Sequence, residues 1–420
     1  MRVLFSGPAG GVIGAAQAAV ETGFDSFCTL DMGGTSTDIA FHSTLQAKEG
    51  DARRSLEPVL VAGHPLAVPS LDIHTIGCGG GSIASVDAGG VLHVGPESAG
   101  ADPGPVCYGQ SDRPTVTDAH VLLGHVRPGT FLGGKLDLDL EAVERAFQKL
   151  GKQLGVSAVE AAQGVLDVAR AAMRRAVGVM TLERGQDPER LALIAFGGAG
   201  GLHAASLTQS LRLQACVIPS HPGALSARGM TQAEPIRDLS QGVLLPLEQV
   251  PKKERRAIHK RLATAAIEEL RAGGARAKDI VLEHTLDLRY RGQSFELSLP
   301  DGDDPEEAFH AAYEKLYGYA LRERDIELVC LRTRARVPSK RTGVQRVRKK
   351  KLPKRAIREE RSVIFDKPKK TKVIDRAQLE PGHSFSGPAL VEEYSGTSVI
   401  PAGCEVRVSA HGHLVLRFPS

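Results

Sequence analysis

Tryptophan is absent and aromatic residues make up only 4% of this 420-residue chain, low for a soluble globular protein, although 42% hydrophobic and 24% charged residues are ordinary for that class. The six cysteines (Cys28, Cys78, Cys107, Cys216, Cys330 and Cys404) lie far apart and form no CxxC pair. That spacing signals neither a dense disulfide framework nor a thiolate zinc site, and reduced thiols in the cytoplasm are expected. Charge of one sign is not in excess. A net +4 falls short of the concentrated basic surface that nucleic acid requires. No stretch approaches the ~20 apolar residues of a membrane span. Gly7, Pro8, Gly10 and Gly11 interrupt the apolar run a signal peptide would need, so the chain is expected to enter folded structure abruptly, a few residues after Met1.

Glycine is abundant. The 46 glycines cluster in runs such as Gly79-Gly80-Gly81 and Gly197-Gly198-Ala199-Gly200-Gly201, where backbone can approach a ligand closely. The length exceeds one domain, so two or three cores are expected. Val3 to Phe5 reads as a strand end, Val12 to Thr22 as a small-residue helix, Phe24 to Leu30 as a strand, and Thr37 to His42 as its return after a tight turn. Apolar segments at Val59 to Ala62 and Ile73 to Ile76 sit in a loop-rich insertion that runs through Gly109. Helical spacing predicts Leu140 to Leu154 and Ala158 to Arg184, with Asp137 and Ser157 as N-caps.

Leu191 to Phe196 has strand length, and the glycines after it lead into a helix over His203 to Leu211. Beyond Pro235, a helix (Lys252 to Ala272), two strands (Ile280 to Arg291, Phe295 to Leu299), a helix (Pro305 to Tyr317) and a long strand (Ile326 to Val337) suggest an α+β domain over 236–340. Residues 341–372 are Lys- and Arg-rich and are expected to be a solvated linker rather than a docking surface. Residues 373–420 read as a short β-rich segment.

The strongest candidate site is Thr29 to Asp38. A carboxylate at a strand end, then two glycines and hydroxyls, suits a hairpin that wraps phosphate oxygens in backbone N–H groups while Asp31 positions hydrated Mg²⁺. By itself the segment equally suits an ordinary hairpin with Gly-Gly at its turn. Ser6 to Ala15 ahead of it, and Ala192 to Gly200 beyond, give it context. Together the three segments resemble the connect, second phosphate and adenosine motifs of the actin, sugar kinase and heat-shock chaperone ATPase superfamily.

The resemblance narrows through Gly77 to Ala84, Ser98 to Gly109, Thr115 to Ala119, Ala195 to Ala204, Asp287 to Ser294, Leu316 to Tyr319, Ile326 to Val329 and Gly387 to Glu392. These segments resemble the A-type subunit of hydantoinases and 5-oxoprolinases, a family that includes one subunit of acetone carboxylase. The likeness covers nearly the whole chain, the basic stretch least. It implies an α/β fold, a ribonuclease-H-like lobe of the actin, hexokinase and chaperone type over 1–235. It also implies ATP-dependent opening of a cyclic amide, with ATP and Mg²⁺ as cofactors and a B-type subunit as partner.

On this resemblance Asp31 holds the metal and takes part in catalysis. Gly33, Gly34, Thr35, Thr37 and Asp38 bind phosphate, and Gly197, Gly198, Ala199 and Gly200 face the adenosine. Asp118 either contributes to catalysis or caps a helix. The family's first Asp-x-Gly-Gly-Thr-x-Thr-Asp loop, borne on an N-terminal lobe, does not occur in these residues, so a separate lobe is an expected partner. Two rivals stand beside the hydrolase: a subunit that phosphorylates ketone and bicarbonate, and a non-catalytic assembly protein. The family usually has Asn where this chain has His120 and Pro where it has Gly201. His74, Cys78, Cys107, Asp118, His120 and His125 fall in one loop-rich region and could bind Zn²⁺ if folded together, but their spacing favours loop and core roles.

Overall fold

A computed structural model describes residues 6–43, 59–61, 64–66, 73–128, 137–338 and 343–419. One unit is formed by residues 1–49, 70–232 and 341–420, the other by residues 50–69 and 233–340. The expected strand end Val3 to Phe5 lies outside the described residues, as does Ala62.

In the first unit, helix α1 (Ser6–Thr22) leads into β1 (Ser26–Met32), which turns back as β2 (Thr37–Ser43) and continues to β3 (Ile73–Ile76). These strands pair antiparallel in sequence. On the other side of β1, β4 (Ala192–Phe196) runs parallel to it, and β5 (Ala215–Ile218) parallel to β4. Both faces of the middle strands are covered, so they read as continuous apolar runs. Alternation sorts the side chains. Cys28, Leu30, Met32, Leu193 and Ala195 face one core, and Phe27, Ala192, Ile194, Phe196 and Val217 face the other.

Among the described residues, three α-helices lie between β3 and β4: α2 (Val116–Leu122), α3 (Leu140–Leu154) and α4 (Ala158–Thr181). The first core takes Val165, Ala169, Met173 and Val177 of α4, and the second takes Ala15, Ala18 and Ala19 of α1. Ser157 caps α4, as the sequence predicts, and the structure adds a reciprocal box with Glu160. Helix α3 is capped by Asp139, which accepts from the Ala142 N–H, and not by Asp137. Asp139 directly precedes Leu140, which is where a cap must stand.

Helix α1 begins at Ser6 rather than at Val12, running through Gly7, Pro8, Gly10 and Gly11. Proline is tolerated in a first turn. Gly10 and Gly14 are explained by α6 (Leu225–Gln232), which follows α5 (Gly200–Ser210) and β5 in the chain. A Cβ at Gly229 would overlap the Gly10 carbonyl oxygen, one at Gly10 the Ser226 oxygen, and one at Gly14 would lie 2.9 Å from the Leu225 oxygen. Backbone contact between the two helices outweighs the poor helix propensity of glycine.

The C-terminal region corrects the expectation of a solvated linker over 341–372. Strands Ile357–Ile364 and Pro368–Asp375 pair with each other, and the second pairs with β6 (Ala389–Glu393), which pairs with β7 (Gly396–Ile400). Strands Leu414–Arg417, Glu405–Val408, His383–Ser386 and Lys350–Lys351 extend the main sheet beyond β5. The basic side chains mask this in the sequence. Val363, Thr371, Val373 and Ile374 are buried, while Arg358 pairs with Asp375 and Glu392, and Lys370 with Glu360.

The second unit has a four-stranded antiparallel sheet in the order Ile236–Pro246, Ile326–Arg336, Val281–Tyr290, Leu297–Pro300. Helices Lys252–Ala272 and Pro305–Tyr317 accompany it, and Leu286, Leu288, Tyr290, Phe309 and Leu328 fill its core. No helix among the described residues is long and apolar enough to cross a membrane.

Gly229→Ala is expected to lower stability by about 1–3 kcal/mol or more, as overpacking does. Gly178→Ala, inside α4 with nothing within 4 Å of the new Cβ, should raise it by about 0.5–1 kcal/mol. Urea unfolding midpoints of the two variants check both signs.

Candidate functional site

Between β1 and β2 the chain turns through Gly33, Gly34, Thr35 and Ser36, the first three exposed. The Gly33 N–H donates to the Ser36 carbonyl at 3.1 Å and closes the turn. Among the described residues, the amides of Gly34, Thr35 and Ser36 have no protein acceptor. Adjacent N–H groups left in this way form a concavity for an anion.

A second glycine turn braces the first. The Gly80 N–H donates to the Gly33 carbonyl at 3.0 Å and the Gly81 N–H to the Gly34 carbonyl at 2.6 Å. Thr117 of α2 then fixes Gly80, donating to its carbonyl from both backbone N–H (2.8 Å) and hydroxyl (2.9 Å). A Cβ at Gly79 would sit 2.6 Å from the Gly34 oxygen, so only glycine fits between the turns. Thr37, expected to bind phosphate, is fully buried and donates its hydroxyl to the Cys78 carbonyl. It ties the two turns together from inside and does not reach a ligand.

Asp31 and Asp38 are register partners, so their side chains leave the hairpin on the same face. Burial first, and the Asp38 charge second, push the Asp31 carboxyl up to about 6, against the hydrogen bond from Ser226 Oγ at 3.4 Å. Asp38 accepts from Thr75 Oγ1 at 2.6 Å. Mg²⁺ usually takes one or two protein carboxylates and completes its shell with water and phosphate oxygens. This pair fits that demand, and a cation beside it would relieve the repulsion. Ser226 was not legible as a site residue, since it reaches Asp31 from a helix too short to show a period.

The parallel pairing of β1 and β4 sets Phe196 level with Asp31, so the Gly197–Gly200 turn emerges beside the hairpin. Gly197 has φ of 81°, and a Cβ there would lie 2.7 Å from Asp31 Oδ1. The Ala199 N–H donates to the Met32 carbonyl at 3.1 Å, linking the two turns. Gly33, Gly34, Gly80, Gly198 and Ala199 line a cavity of about 1230 Å³, ample for a nucleotide-sized ligand. Arg358, Arg376 and Tyr394 of the C-terminal region line it too, and no local pattern in the sequence placed them there.

Asp118 is not at this cavity as a reacting group. It is fully buried, and its oxygens accept from the N–H groups of Val106, Cys107 and Thr115 at 3.0, 2.8 and 2.9 Å and from Thr115 Oγ1 at 2.8 Å. Of the two roles expected for it, the cap is the one its geometry serves.

The residues weighed as zinc ligands are dispersed over other tasks. His125 Nε2 donates to the Ile364 carbonyl at 2.8 Å, so its Nδ1 is the acceptor for His120 Nδ1–H at 2.8 Å, and His120 Nε2 in turn accepts from His203 Nε2–H at 3.3 Å. Burial holds all three rings neutral: His125 falls to about 4, and His120 and His203 fall well below the ordinary imidazole range. Among the described residues no three His, Cys, Asp or Glu converge on a metal position.

A family model described as hydantoinase/oxoprolinase matches residues 1–239, and one described as hydantoinase/oxoprolinase C-terminal domain matches residues 249–418. The chain belongs to the hydantoinase/oxoprolinase family. Its similarity extends to caprolactamase subunit alpha of Pseudomonas jessenii, 32% identical over 97% of this chain and 60% of that protein. To 5-oxoprolinase 1 of Arabidopsis thaliana it is 30% identical over 98% of this chain and 34% of the other. A nucleotide-free structure of acetone carboxylase, from a study of ATP-dependent acetone carboxylation, superposes with a TM-score of 0.84 at 25% identity. That match covers 98% of this chain and 61% of the other. This hydantoinase/oxoprolinase chain thus spans about three fifths or less of these relatives.

Gly201 lies under β7: a Cβ would sit 2.9 Å from both the Thr397 oxygen and Ser398 Oγ.

Folding raises the Asp31 pKa from 3.8 to about 6, so ionisation of this group opposes folding. Its share of stability is complete below about pH 4 and is lost as pH rises through about 6. In metal-free buffer at pH 7, Asp31→Asn is expected to be more stable than the parent by roughly 1–3 kcal/mol, the gap closing near pH 4. Urea unfolding across that pH range measures it.

Proposed function

We propose that this chain supplies the ATP-binding lobe of an enzyme that opens a cyclic amide by phosphorylating its carbonyl oxygen. The observation that carries the proposal is the hairpin tip, with three unpartnered amides beside the Asp31 and Asp38 carboxylates. The sheet order β3-β2-β1-β4-β5, an antiparallel meander followed by two parallel strands, supports an actin-type lobe. An unstrained amide is a poor electrophile, and a phosphoryl group turns its oxygen into a leaving group. The names caprolactamase and 5-oxoprolinase support a cyclic amide as substrate class.

In this proposal Gly33, Gly34 and Thr35 present backbone donors to the phosphates, and Gly198 and Ala199, which line the cavity, face the nucleoside, whereas Gly200 is buried against the Leu30 carbonyl. Asp31 and Asp38 hold Mg²⁺, which when bound neutralises charge on the transferring group. Preorganised donors suit phosphoryl transfer because positioning and charge stabilisation are most of what the protein provides. The water-activating step is assigned to a B-type partner. Among the described residues, the carboxylates lining the cavity are already paired: Asp375 with Arg358, Glu392 with Arg127 and Arg358, and Glu393 with Arg376.

A second reading is favoured by the superposition on acetone carboxylase: the same lobe phosphorylates a ketone and bicarbonate. Substrate-dependent ADP release in the presence of the B-type partner separates the two. Release with hydantoin or 5-oxoproline is expected, and release only with acetone plus bicarbonate would overturn the amide assignment. Asp31→Ala is expected to weaken Mg-ATP binding at least about tenfold, ~1.4 kcal/mol, with unchanged circular dichroism. Unaltered affinity would remove Asp31 from the metal site.

A further inference from the structure

The cavity at the glycine turns has another wall, made by the C-terminal region, that the motifs do not account for. The turn Tyr394–Ser395 between β6 and β7 is seated on the glycine turns at backbone distance. A Cβ at Gly396 would lie 2.9 Å from the Gly198 oxygen, and one at Gly223 2.6 Å from Ser395 Cβ. Arg376 fastens this wall. Its guanidinium donates to the carbonyls of Pro219 at 2.8 Å and of Ile218 and Gly412 at 3.2 Å, and to Glu393 at 3.4 Å. Both terminal nitrogens of Arg376 are committed to protein groups, so it is a brace rather than a ligand contact.

Two side chains of the wall are differently placed. Tyr394 lines the cavity and is 64% exposed, and among the described residues its ring meets no other aromatic ring. His411 also lines the cavity, and its Nδ1 is buried with no hydrogen-bond partner among the described residues. A flat exposed ring on the wall of a nucleotide-sized cavity suits stacking by a heterocycle.

We propose that the Tyr394–Ser395 turn and the 410–412 turn form the nucleoside wall of the nucleotide site, with Tyr394 stacking on the purine base. This rests on the ATP reading of the hairpin. With the phosphates at Gly33 to Ser36 and the chain of contacts running through Gly198, the base is delivered to the strand turn that sits on Gly198. The family's C-terminal domain therefore contributes to nucleotide binding directly, although its residues lie far along the chain from every glycine motif.

Calorimetric titration of the full chain with Mg-ATP and, separately, with Mg-tripolyphosphate, which has the phosphates but no nucleoside, tests the assignment. Tyr394→Ala is expected to weaken ATP binding about tenfold, the scale of one base–aromatic stack. Tyr394→Phe should keep the parent affinity, and tripolyphosphate should bind all three proteins alike. Unchanged ATP affinity in Tyr394→Ala, or an equal loss of tripolyphosphate binding, overturns the nucleoside wall and leaves the ATP reading standing. A parent chain that binds neither ligand overturns the ATP reading and the wall with it.

Discussion

The parallel pairing of β1 with β4 is the constraint on which the site depends. It ends both strands at one level, with Asp31 beside Phe196, so the phosphate-type hairpin and the Gly197–Gly200 turn leave the sheet side by side. Ligands of open α/β sheets gather at the carboxyl ends of parallel strands because the loops diverge there. Here the loops are also sewn together, Ala199 to Met32 and Gly80 and Gly81 to Gly33 and Gly34, all through backbone hydrogen bonds. A site fixed by main chain does not depend on side-chain rotamers to hold its shape.

That arrangement explains where glycine is indispensable. At Gly79, Gly197 and Gly229 a single methyl group would collide with backbone or with Asp31. The entropy that glycine loses on folding is offset by close approach of main chain to main chain. The same logic reaches the C-terminal region, where Gly396 meets Gly198 and Gly201 meets β7. Residues 375–412 thus share a cavity with motifs that precede them by more than a hundred positions.

Buried polar groups divide into those that act on the fold and those free to act on a ligand. Asp118 and Thr37 have their polar atoms bonded to backbone, Asp118 also to the Thr115 hydroxyl, so their motif-like positions reflect turn architecture. The three-histidine chain is neutral and ends on a carbonyl, which makes it a core device rather than a cation site. Asp31 is the contrary case: burial and a like charge raise its pKa, an unfavourable setting that a bound cation would reverse.

Much of this was legible in one dimension. The β1–β2 hairpin, the β4 strand, the N-cap at Ser157 and the α+β unit follow from periodicity and local hydrogen-bonding chemistry, which act over a few residues. The start of α1 was not legible, since glycines that look like a loop are a helix surface once Ser226 and Gly229 lie against them. Nor were the strands within the Lys- and Arg-rich stretch, whose charges are matched by Asp375, Glu392 and Glu360. By itself the sequence determined which family pattern the chain follows and offered the candidate phosphate-binding residues. Only the tertiary structure decided that Thr37 and Asp118 serve the scaffold and that Tyr394 and His411 face the cavity, because burial and partnership are properties of neighbours that chain order does not specify.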